Sequence, residues 1–186
     1  ADLQDQTLTR LATNTGLVVA SVDYRLAPEH PYPAGPDDCE AAALWFLDWV
    51  ERGFGVHWCA IGGESAGANL SVVTLLRLNH LHGDCRFRAA NLNAGCYDLT
   101  LTPSARNWGE LKLILNTRDI EMFVRHYLLH GHDPLDPDIS PLFASVARMP
   151  PALFTVGTMD PLLDDSLFMA VRWLAAGNET EFAAYP

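Results

Sequence analysis

The sequence is short of positive charge. Twelve lysines and arginines face twenty-three aspartates and glutamates, giving a formal net charge of −11 over 186 residues. So acidic a chain is repelled by phosphate backbones, and no nucleic-acid partner is expected. Paired cysteines are also lacking. The four present (Cys39, Cys59, Cys85 and Cys96) stand far apart with no C-x-x-C pair. They read as free thiols of a reducing compartment, not as a disulfide frame or a zinc site. No long apolar run occurs either. Asp48 interrupts the most hydrophobic helical stretch, residues 41–50, so no membrane span is expected. No signal peptide, internal repeat or low-complexity tract is found, and the expected location is cytoplasmic. What remains is ordinary globular composition, 49% hydrophobic and 19% charged, on a chain long enough for one domain with a sizeable core.

Apolar runs alternate with helix-period segments, the pattern of βα units around a parallel sheet. Leu3, Leu8, Leu11 and Ala12 form a helical stripe stopped by Gly16. Residues 17–22 are nearly continuously apolar, as a strand buried on both faces would be. After a Pro-rich loop, Pro36 suits the first turn of a helix that runs to about Arg52, with Gly53 and Gly55 as stop signals. Residues 56–62 predict a second strand, and the apolar stretch to Leu78 a buried helix. Residues 87–94 predict a third strand, a poor one because of Asn91 and Asn93. Residues 97–140 break the rhythm and read as an insertion over the sheet, with a helix near 118–129. Residues 152–156, 162–176 and 180–185 then predict strand, helix and strand.

The chemistry is carried by Gly63-Glu64-Ser65-Ala66-Gly67, which fits the nucleophile elbow G-x-S-x-G. The two glycines are expected where a strand turns so sharply into a helix that side chains would collide. The serine is forced into a strained conformation with its hydroxyl above the sheet. At the helix start, the Ala66 amide can face a developing oxyanion, favoured by the helix dipole. A bare G-x-S-x-G arises by chance in roughly one in twenty chains of this length, so its context must decide. Here a strand precedes it, a buried helix follows, and no P-loop lysine is present.

Residues 19–34, VASVDYRLAPEHPYPA, closely resemble the hormone-sensitive-lipase-like branch of α/β-hydrolases, the bacterial family IV esterases. Residues 63–70 resemble that branch's G-D-S-A-G-G-N-L, and residues 160–165 its D-P-L-x-D. The resemblance spans essentially the whole chain. It implies an α/β-hydrolase three-layer sandwich with a mostly parallel central sheet, incomplete here: a partial domain over residues 1–186 with 97–140 as its probable cap. It implies a Ser-Asp-His triad in that chain order, with Ser65 as nucleophile and Asp160 as acid. The competing reading of Asp160 is a helix N-cap before Pro161. Asp164 and Asp165 read as first-turn dipole partners, and Asp133, Asp136 and Asp138 as solvated surface.

Several departures qualify the resemblance. Glu64 replaces the usual Asp before the nucleophile, and Ala68 a Gly. The branch's His-Gly-Gly-Gly oxyanion loop would lie upstream of Ala1, and its catalytic histidine a few residues beyond Pro186. All seven histidines precede Asp160; His126, His130 and His132, on the insertion, are the ones that could approach Ser65. In the implied strand order 1-2-4-3-5-6-7-8 this chain would supply strands 4 to 8, leaving a gap at strand 3. It is therefore expected to be part of a longer protein, inactive without its base.

The resemblance implies a carboxylic ester hydrolase for small-molecule esters with short to medium acyl chains, using a serine acyl-enzyme, with no cofactor and no metal. It also allows a homodimer through residues 180–185. The alternatives are a non-catalytic, receptor-like small-molecule binder of the same fold, and an amide or lactone hydrolase using the same triad.

Overall fold

The computed structural model describes residues 4–84 and 86–186. Leu3 and Cys85 lie outside the described residues. In chain order the elements are α1 (Asp5–Thr15), α2 (Ala34–Phe54), β1 (Cys59–Glu64), α3 (Ala66–Leu81), β2 (Phe87–Asn93), α4 (Pro103–Asn107), α5 (Thr117–Tyr127), a 3-10 turn (Pro141–Phe143), β3 (Ala152–Gly157), α6 (Leu163–Ala175) and β4 (Thr180–Tyr185).

The four strands lie side by side in sequence order, every pair parallel. Parallel neighbours need crossover connections, and right-handed crossovers that all step the same way stack their helices on one face. Burial agrees. In β3, Ala152, Phe154 and Val156 are buried and alternate with partly exposed Leu153, Thr155 and Gly157. Against that covered face lies α3, apolar nearly all round, with Ala68, Val72 and Val73 fully buried. Trp173 of α6 is also fully buried. It packs edge-on to Phe154 at 5.7 Å and donates its indole N–H to Pro150 O at 2.9 Å. A buried indole needs such a partner. Ala60, Gly62 and Glu64 point to the other face and are exposed. There α1 reaches the sheet through Gln4 Nε2, which donates to Glu64 Oε2 at 3.1 Å.

Two expectations need correction. Residues 17–22 form no strand, and Leu17, Val18 and Val22 are 49%, 73% and 40% exposed. Their composition suits a strand, but among the described residues none lies alongside to pair with them, and a ladder takes two partners. β1 starts three residues later than expected, at Cys59, because its neighbour β2 begins opposite at Phe87. β2 forms despite its asparagines: Asn91 is exposed on the bare face, where a polar side chain costs little, while Ala90 and Leu92 are buried. The helix expected near 118–129 is α5. Its N-terminus is set by a capping box in which Asn116 Oδ1 accepts from the Asp119 amide at 2.9 Å and Asp119 Oδ2 accepts from the Asn116 amide at 3.3 Å.

Candidate active site

Ser65 stands between β1 and α3 with φ 55° and ψ −117°, backbone that a residue with a Cβ adopts only at a cost. Its amide donates to Asn93 O at 2.9 Å, at the end of β2, and its carbonyl accepts from the Ala68 and Asn69 amides. The bend is thus pinned on both sides while the residue stays half-buried at the rim of the sheet. The geometry requires glycine at two places. A Cβ on Gly63 would lie 2.3 Å from the Gly67 backbone, and one on Gly62 would lie 2.6 Å from Asn91 O. A Cβ on Gly67 meets nothing within 4 Å, so the expected collision belongs to Gly63 alone, with Gly67 as the backbone it would strike. Gly62 lies outside the pentapeptide, and sequence reasoning passed over it. Its need arises from β2, some thirty residues away in the chain.

Ala66 heads α3, so its amide is among the first-turn N–H groups that a helix leaves without an intrahelical carbonyl. Asn69 sits one turn further on and is 4% exposed. Its Nδ2 donates to Cys96 O at 2.8 Å and to Ile139 O at 3.1 Å, tying the nucleophile helix to both ends of the insertion.

Asp160 follows β3 by three residues, on the same C-terminal rim as Ser65 because β1 and β3 run parallel with only β2 between them. Two strand spacings put these strand ends about 10 Å apart, a gap that an imidazole and its hydrogen bonds can span. Burial pushes the Asp160 carboxyl above the usual range. The Leu162 amide, donating to Oδ1 at 2.8 Å, opposes that shift, and the neighbouring negative charge of Glu64 adds to it. The competing role of helix N-cap is not the one Asp160 takes: Leu162 occupies that position before α6, and Asp160 Oδ1 instead accepts from the Leu162 amide two residues on. Glu64, the departure from the usual Asp, contributes a charge close enough for Asp160 to feel.

Asp165, expected as a first-turn dipole partner, does lie in the first turn of α6 but is 1% exposed. Its Oδ1 accepts from the Tyr97 amide at 2.6 Å and the Asp98 amide at 2.9 Å, and its Oδ2 from Thr102 Oγ1 at 2.5 Å. Burial pushes its carboxyl up to about 6 against those three donors. Asp164 is also engaged: its Oδ2 accepts from the Ser104 amide at 2.7 Å, and its own amide donates to Ser104 Oγ at 3.1 Å. Asp138, expected as solvated surface, accepts from Arg77 Nε at 2.7 Å, Arg77 Nη2 at 2.6 Å and the Tyr32 hydroxyl at 2.7 Å. The Arg77 side chain is 12% exposed, and a guanidinium so enclosed gathers counter-charges; Asp37 and Glu40 complete the set.

No histidine among the described residues hydrogen-bonds Ser65. His82 pairs with Glu40 at 2.6 Å, and His132 lies edge-on to Tyr32 at 4.8 Å. Cys39, Cys59 and Cys96 are free thiols; burial pushes Cys96 up to about 12, which keeps it protonated. Among the described residues, no helix is long and apolar enough to cross a membrane.

The chain is similar to known proteins in sequence and in fold. A family model described as α/β hydrolase fold matches residues 1–186. The carboxylic ester hydrolase LipN of Mycobacterium tuberculosis is 35% identical over 97% of this chain and 50% of its own length. An esterase of Acinetobacter venetianus is 36% identical over 96% of this chain and 58% of its own length. Among solved structures, a hyperthermophilic esterase from Pyrobaculum calidifontis superposes with a TM-score of 0.91 at 33% identity, over 98% of this chain and 61% of that one. A hormone-sensitive lipase from a metagenome library gives 0.85 at 31% identity, over 96% and 60%. The chain thus spans half to about three-fifths of the length of these curated relatives.

Proposed function

Because the chain belongs to the α/β-hydrolase fold family, we propose that it forms the nucleophile- and acid-bearing part of a serine carboxylesterase. One observation carries the reading: Ser65, held at φ 55° at the end of β1, shares a sheet rim with the partly buried carboxylate of Asp160. Ser65 Oγ forms a bond to the ester carbonyl carbon while its proton passes to a histidine beyond Pro186 in the full-length protein. Asp160 holds that imidazole in the correct tautomer and stabilises its charged form. The Ala66 amide donates to the tetrahedral oxyanion, a contribution of about 3 kcal/mol for one such donor. Collapse breaks the bond to the alkoxide, which takes the proton from the imidazole. Water then attacks the acyl-enzyme by the same route and releases the acid. No metal or organic cofactor takes part in this sequence of steps.

The segment 97–140 acts as the cap. Leu111, Leu113 and Ile114 on it are 53%, 54% and 82% exposed, apolar surface suited to a short or medium acyl chain. β4 is an outer strand of the described sheet, and Thr180–Tyr185 is the edge through which two copies would pair. The three free thiols among the described residues fit a cytoplasmic location. The test is hydrolysis of p-nitrophenyl acetate, butyrate and decanoate by the full-length protein. Turnover that favours the shorter esters and vanishes in Ser65→Ala supports the reading. Turnover unchanged in that variant refutes it.

A further inference from the structure

The turn that carries Asp160 is not held by its own residues alone. Residues 94–104 leave the top of β2, pass over the end of β3 and come down on the first turn of α6. The Ala94 amide donates to Thr155 O at 2.7 Å, which fixes the start of this strap to β3. The middle is fixed by Asp165, whose fully buried carboxylate collects the Tyr97 and Asp98 amides and the Thr102 hydroxyl. The far end is fixed by Ser104. Its Oγ donates to Pro161 O at 2.7 Å and accepts from the Asp164 amide, while its own amide donates to Asp164 Oδ2. The acid turn, residues 158–162, is thereby enclosed between β3 and a strap bolted to the helix that follows it. The same strap begins at the residue after Asn93, whose carbonyl anchors the Ser65 amide, and Cys96 O on it takes a hydrogen bond from Asn69 of the nucleophile helix.

We propose that Asp165 is a positioning residue for catalysis: through the strap it fixes the Asp160 turn relative to the Ser65 elbow. The inference rests on the esterase reading of Ser65 and Asp160. A carboxylate at this depth is costly to keep, and leaving its three donors unpaired would be costly as well. Simple stapling of a loop can be done by apolar packing. Three donors converging on one carboxylate fix distance and direction instead, which an acid aimed at an imidazole requires. The geometry also distinguishes two substitutions. In Asp165→Asn, Oδ1 can still accept from both amides, and Nδ2 can donate to Thr102 Oγ1. Asp165→Ala leaves all three donors without a partner.

The experiment uses full-length protein and p-nitrophenyl butyrate. Asp165→Ala is expected to lower kcat between about 10- and 100-fold with KM within about twofold, while Asp165→Asn stays within about threefold of wild type. Placed on an Asp160→Ala background, Asp165→Ala is expected to cost nothing further, since it acts through Asp160. A folded Asp165→Ala enzyme with unchanged kcat, or one whose loss multiplies in full with that of Asp160→Ala, overturns the proposal. Should Asp165→Ala fail to fold, Ser104→Ala, which loosens the same turn at Pro161, decides in the same two ways. If Asp160→Ala itself leaves kcat unchanged, the esterase reading fails, and that outcome is distinguishable because it needs no Asp165 variant.

Discussion

The two halves of the site are held by different forces. The Ser65 elbow is positioned by exclusion: glycine at 62 and 63 lets backbone approach backbone, and a bend at φ 55° follows with little help from side chains. The Asp160 turn is positioned by attraction, through hydrogen bonds from a strap whose residues lie far from it in sequence. A nucleophile must be exposed and sterically precise, and a bend crowded by its own backbone achieves this locally. An orienting acid needs a defined direction in a partly desolvated place, which calls for a polar scaffold from elsewhere in the fold.

The comparison can be broken most directly at the reacting groups. Ser65→Ala in the full-length enzyme is expected to lower kcat on the order of 10⁶-fold, about 8 kcal/mol of barrier, in a p-nitrophenyl ester assay. Asp160→Asn is expected to cost about 10⁴-fold, because it leaves the imidazole in the wrong tautomer while the elbow stands intact. Equal losses at the two positions would erase the distinction between a bond-forming group and an orienting one.

Steric positioning is tested by adding one methyl group. Gly63→Ala would press a Cβ against backbone 2.3 Å away and is expected to destabilise by more than about 3 kcal/mol in urea unfolding. Gly67→Ala points into open space within α3 and is expected to change stability by no more than about 1 kcal/mol. Similar costs at both sites would contradict the assignment of the clash to Gly63.

These contrasts follow what could be read in the sequence. The elbow is largely local: the bend at Ser65 and the clash at Gly63 were legible in five consecutive residues between an apolar strand and an apolar helix, whereas the need for Gly62, set by β2, was not. The positions of the later strands were legible too, β2, β3 and β4 falling at or within a residue of the predicted runs. The strap was not. Asp165 reads as an ordinary first-turn carboxylate because nothing near it in the chain shows that Tyr97, Asp98 and Thr102 will arrive from more than sixty residues away. Asp138 was misread for the same reason, its partner Arg77 being sixty-one residues distant. Residues 17–22 failed in the opposite sense: a strand-like composition specifies a face but not a neighbour.

The electrostatic side of the comparison gives a smaller expected effect than Gly63→Ala. The Asp165 carboxyl rises from 3.8 to about 6 on folding. The folded state therefore holds this proton more tightly than the unfolded chain, and stability falls as the pH climbs between those values. Asp165→Asn does not titrate. Relative to that variant, wild type is expected to lose up to about 3 kcal/mol between pH 3.5 and pH 7.5, measured by urea unfolding at both. A pH-independent difference would show that the three donors offset the burial cost completely.

The central claim is that the bend after β1 presents a nucleophilic hydroxyl, and covalent mapping tests it most directly. Full-length protein treated with a fluorophosphonate, then digested and sequenced by mass spectrometry, is expected to carry the adduct on Ser65, with no adduct in Ser65→Ala. Modification at another residue, or labelling that persists in Ser65→Ala, would contradict the account.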